Sequence, residues 1–130
     1  MRPAAKLFSF WTMRPQENGN KTDVRWVALT NPQGVGLLVV GAQPLNVGVR
    51  HYSKEAMERA AYTFQMARQP ETFLNIDLKQ MGAGGIDSWS PHAYPMEQYR
   101  ISGGVEHSYR YRLSPVDSVS AIEAKGLEKF

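Results

Sequence analysis

Val105-Glu106-His107-Ser108-Tyr109-Arg110-Tyr111-Arg112-Leu113 alternates between two kinds of side chain without a break. Successive side chains of an extended chain point to opposite faces, so this spacing predicts a half-buried strand. Val105, His107, Tyr109, Tyr111 and Leu113 would face the core, and Glu106, Ser108, Arg110 and Arg112 the solvent. The same period recurs upstream, where Thr72, Leu74, Ile76 and Leu78 oppose Phe73, Asn75, Asp77 and Lys79. Further strands are expected over residues 7–13, 22–30, 36–41, 46–52 and 96–101. Asn31-Pro32-Gln33-Gly34 reads as a turn, Gln43-Pro44 as a break, and Ser102-Gly103-Gly104 as a hairpin connection.

One segment changes period. Over residues 53–66, Met57, Ala60, Ala61 and Phe64 fall at helical spacing, with Ser53 as N-cap, Glu55 in the first turn and Pro70 beyond the end. After Ser114 the pattern fades, and residues 118–130 read as a short helix or a tail. Short strands between turns, with one helix, define an all-β antiparallel β-sandwich. The chain of 130 residues is expected to be one domain over 1–115 with a tail at 116–130.

Composition removes several functions. The chain has no cysteine, which excludes disulfides and thiolate metal sites. Fifteen basic and twelve acidic residues give a net charge of +3, too dispersed to mark a nucleic-acid partner. No apolar run approaches the roughly 18 residues needed to cross a bilayer, and Leu7-Phe8-Ser9-Phe10-Trp11 is too short and aromatic for a signal-peptide core. Neither a nucleic-acid nor a membrane partner is expected.

Met81-Gly82-Ala83-Gly84-Gly85-Ile86-Asp87-Ser88-Trp89-Ser90-Pro91 follows the Leu74-Asn75-Ile76-Asp77 strand and ends a glycine-rich loop on a lone tryptophan. Three glycines permit sharp bends, and Pro91 stiffens the exit and holds Ser90 extended. An indole placed there can cover the apolar C–H face of a sugar, or it can plug the core of its own domain. Asp87, Ser88 and His92 are neighbours able to orient the loop.

Other constellations carry less. Glycoside hydrolysis needs two carboxylates, about 5 to 5.5 Å apart for retention or about 6.5 to 9.5 Å for inversion, and Glu17, Asp77, Asp87 and Glu97 sit in no context that suggests such a pair. His51, His92 and His107 are isolated, without metal-ligand spacing. The loop lacks both a nucleophile elbow and the Lys-Ser/Thr ending of a phosphate cradle. Tyr109-Arg110-Tyr111-Arg112 interleaves aromatic and basic residues, but alternation puts the tyrosines on the expected core face, which is unsuited to base stacking. Trp26 is expected in the core, with Arg25 outside.

The glycine loop, the L-N-I-D strand and Arg14-Pro15-Gln16-Glu17-Asn18-Gly19 together resemble the C-terminal module of lacZ-type β-galactosidases, glycoside hydrolase family 2, over about residues 7–115. Ile86 departs from the acid often found at its position in that family. The resemblance implies half of a galactose-mutarotase-like supersandwich, without catalytic residues. Trp89 would stack on a galactoside in an active site housed in an upstream domain, with Asp87, Ser88 and His92 beside it. No cofactor is expected in this chain; the Mg and Na ions of such enzymes would lie in other domains. The upstream domains are the implied partners. A half-sandwich also leaves edges and faces that another copy could cover, so a homo-oligomer is expected. The alternative is a free-standing carbohydrate-binding or purely structural sandwich.

Overall fold

The computed structural model describes residues 19–81 and 90–128. Four strands, β1 (Lys21–Thr30), β2 (Gly36–Arg50), β3 (Phe73–Asp77) and β4 (Tyr111–Val116), form one antiparallel sheet with two short helices, α1 (Lys54–Arg59) and α2 (Val119–Gly126). The all-β, antiparallel, sandwich-like class expected from the alternation is the class observed. The strand expected at 7–13 lies outside the described residues.

β2 organises the sheet. β1 runs along one side of it, while β4 pairs with Gly36–Gly41 and β3 with Asn46–Arg50 on the other. The turn into β2 follows from Asn31-Pro32-Gln33-Gly34. Asn31 Oδ1 accepts the N–H groups of Gln33 and Val35, both at 3.0 Å, and Gly34 takes φ +86°. Two expected strands, 36–41 and 46–52, are instead continuous. Trp26 faces Val40 while Val24 faces Leu45, so residues 41–44 bulge out of register and the ladder resumes beyond them. A bulge tolerates Pro44, which has no N–H to contribute.

The core lies on both faces of the sheet. On one, Val27, Val39, Leu45 and Val47 are buried, with Val24, Val49, Leu74 and Ile76 packed against them. On the other, Leu38, Val40 and Val116 meet Ile122 of α2, with Trp26 and Ala28 alongside. Trp26 thus joins the core and Arg25 stays exposed, as expected. α2 begins at Ser118, whose hydroxyl accepts the Ala121 N–H at 3.3 Å. It ends at Gly126, which lies against the Trp26 indole so closely that a β-carbon there would sit 3.0 Å from Cδ2.

Other expectations need correction. The alternation ending at Leu113 has the right period and the opposite phase. Tyr111 and Leu113 are exposed, at 41% and 52%, whereas Arg112 and Ser114 turn inward and Val116 is buried. Val116 decides the phase, because its side chain closes the core with Ile122, and both lie beyond the alternating stretch. The strand itself starts only at Tyr111. Residues 96–101 form no strand. A 3-10 turn at Glu97–Tyr99 replaces it, and Arg100 donates from Nε to the Pro95 carbonyl at 2.7 Å while lying over the Tyr94 ring at 5.6 Å.

The helix expected over 53–66 stops at Arg59, with Ala60 already extended at ψ 122°. Gln65 competes with it, since its Oε1 accepts the N–H groups of Ala61 at 2.7 Å and Tyr62 at 3.0 Å. The start is as expected: Ser53 Oγ accepts the Ala56 N–H at 3.1 Å. Glu55's carboxyl is held below its ordinary range, chiefly by its own backbone N–H and then by Ser53. Among the described residues there are two short helices, and of the two alternatives open for residues 118–130, a helix or a tail, α2 is the helix.

Candidate functional site

β3 precedes the glycine-rich segment of the sequence, and Ser90 follows it. Trp89, Asp87 and Ser88 lie outside the described residues, and the described chain flanks them with β3 on one side and a turn at Ser90 on the other. β3 is fixed on one side by its ladder with β2, where Leu74 faces Val49 and Ile76 faces Val47. A second tie crosses from the chain before β4: the Tyr109 hydroxyl donates to the Ile76 carbonyl at 3.0 Å. The Tyr109 and Tyr111 rings are neighbours, 5.9 Å apart and tilted by 32°.

The receiving end is a compact turn. Ser90 caps it, its hydroxyl accepting the His92 N–H at 3.1 Å and its carbonyl the Ala93 N–H at 2.9 Å. Pro91 sits at the first position of the 3-10 turn Pro91–Ala93, where a missing N–H costs nothing. Pro95 is buried just beyond. His92 is exposed, its backbone held by Ser90. Of the four residues singled out around the loop, His92 alone falls among the described residues, and it stands at the loop's exit.

The other candidates separate in space and role. Asp77 is half-buried at the end of β3, and Glu97 is exposed in its turn. Glu17 and Asp87 lie outside the described residues. Among the described residues no three His, Asp or Glu side chains gather where they could hold a metal ion. His51 Nδ1 lies 3.1 Å from the Glu71 carbonyl, and His107 Nε2 lies 2.6 Å from that of Ser102.

Tyr109 and Tyr111 are more exposed than alternation implies, but this does not create a nucleic-acid platform. Arg112 turns to the opposite face from Tyr111 and pairs with Glu128 at 3.1 Å, so ring and cation do not share a surface. Periodicity gives no sign of an exposed and stacked Tyr62–Phe64 pair. Its signal is Gln65, placed to accept the N–H groups three and four residues before it.

A family model for the beta galactosidase small chain matches residues 5–113, and the chain belongs to that family. It is 34% identical to a β-galactosidase of Priestia megaterium over 104 residues, which is 80% of this chain and 10% of that protein. It is 37% identical to β-galactosidase BgaC of Bifidobacterium adolescentis over 90 residues, 67% of this chain and 8% of that protein. A β-galactosidase of Lactobacillus delbrueckii subsp. bulgaricus is 33% identical over 87 residues, 67% of this chain and 8% of that protein. The chain spans about a tenth or less of the length of these relatives.

Proposed function

We propose that this chain is a non-catalytic, C-terminal domain of a glycoside hydrolase family 2 β-galactosidase, and that it completes the leaving-group side of an active site carried by another domain. The observation that carries the reading is the glycine-rich loop after β3, within a stretch matched by the small-chain family. Both of its anchors are firm: β3 is paired and tied by Tyr109, and Ser90 caps the return. Between them, Trp89 supplies a flat apolar surface for the second sugar of a terminal β-D-galactoside such as lactose, with Asp87, Ser88 and His92 as its polar surroundings. Such a stack is worth on the order of 1 to 2 kcal/mol.

On this reading the acid/base and nucleophile, together with the Mg and Na ions, belong to other domains. The sheet is then one part of a supersandwich whose remaining strands come from the same polypeptide, and further copies complete a homo-oligomer. Substitution of Trp89 in the galactosidase polypeptide that carries this domain tests the claim. A rise in KM supports it, and unchanged kinetics would leave a structural support with no part in sugar binding.

A further inference from the structure

β2 and β3 meet at Arg50 and Phe73, and the chain between them closes on itself just outside the sheet. The Gln69 N–H donates to the His51 carbonyl at 2.9 Å, and Gln69 Oε1 accepts the Ser53 N–H at 3.0 Å. A cleft of about 350 Å³ opens beside this staple, lined by His51, Arg68, Gln69 and Pro70. That volume lies in the range of small-molecule sites, about 300 to 1,000 Å³.

The polar groups around the cleft divide into donors and an acceptor. Ser53 occupies the Gln69 side-chain oxygen, so the amide nitrogen is what Gln69 has left to offer, as a donor. Arg68 is exposed, and among the described residues no carboxylate pairs with it, so its guanidinium adds a fork of N–H groups. His51 contributes the opposite polarity. Its Nδ1 lies 3.1 Å from the Glu71 carbonyl, which can only accept, so Nδ1 carries the proton and the neutral ring presents a lone pair on Nε2. Pro70 adds an apolar ring.

We propose that this cleft binds a sugar, at a site apart from the glycine-rich segment that carries Trp89. A sugar hydroxyl donates and accepts at once, so neighbouring hydroxyls can take N–H bonds from Arg68 and Gln69 and give one to His51 Nε2, while ring C–H groups rest on Pro70. An oxyanion would use the donors alone and would face the Nε2 lone pair. An apolar ligand would leave all three polar groups without partners, a costly arrangement. The two sites are at opposite ends of β3: Arg50 pairs with Phe73 at its start, whereas the glycine-rich segment follows Asp77 at its finish. The inference therefore stands independently of the role proposed for Trp89.

An amide NMR titration of the full 130-residue chain with lactose tests this. Saturable shifts at His51, Arg68, Gln69 and Glu71 are expected, with a dissociation constant on the order of 1 to 10 mM, as suits a small open site. Arg68→Ala should weaken binding about 5-fold or more. The rest of its amide spectrum should match wild type, because Arg68 is exposed. Trp89→Ala should leave the affinity read at His51 unaltered, which separates this site from the one proposed above. No saturable shift at His51 and Arg68 up to about 100 mM lactose would overturn the proposal. Undiminished binding by the Arg68→Ala chain would do the same, as would shifts that vanish with Trp89. Inorganic phosphate binding these residues more tightly than lactose would overturn the sugar assignment and make the cleft an anion site.

Discussion

Gly36 opens β2 directly against the backbone of β1. A methyl group there would collide with the Leu29 carbonyl oxygen and crowd the Thr30 Cα, and neither can retreat without opening the ladder. Gly36→Ala is therefore predicted to destabilise the domain by about 1 to 3 kcal/mol. Equilibrium urea unfolding should read this as a lower midpoint with an unchanged slope. At the same scale, alternation over residues 105–113 points to the wrong face as the buried one. Tyr111 and Leu113 fit a buried row by composition, yet phase belongs to whichever neighbour reaches the core. Here Val116 does so, beyond the alternation that suggested a strand.

Among the elements, α2 has the clearest energetic role: it closes one face of the sheet through Ile122, packed with Leu38, Val40 and Val116. Ile122→Ala should cost about 2 to 4 kcal/mol, since truncating a core isoleucine loses both its transfer energy and its packing. Faster amide exchange throughout α2, measured against β3, would locate the loss there. α2 was only half legible in the sequence, because eight residues with one buried apolar anchor give no periodic signal. β1 and β3 were readable from alternation and turn chemistry. Apolar spacing through Phe64 makes α1 look longer than it is, because the acceptor on Gln65 competes for the chain beyond Arg59. The loop's two anchors, the L-N-I-D strand and Ser90-Pro91, were legible. The Tyr109–Ile76 tie was not, because it joins residues 33 positions apart.

Taken whole, the described part of the chain buries a small core and leaves many large apolar side chains in solvent, Phe64, Leu113, Tyr94 and Met96 among them. That balance suits a domain covered by other protein. The chain alone is predicted to show no glycosidase turnover, because no carboxylate pair suited to the reaction is recognisable in it. A chromogenic galactoside should read at background, and turnover abolished by changing one of this chain's own acids would refute that. The central claim, that Trp89 contributes sugar contact to an active site elsewhere, is met most directly by the kinetics of Trp89→Ala in the galactosidase polypeptide carrying this domain. A stack present equally in ground and transition states predicts KM raised about 5- to 30-fold with kcat nearly unchanged, equivalent to on the order of 1 to 2 kcal/mol. An unaltered KM, in a variant whose circular dichroism matches wild type, would contradict it.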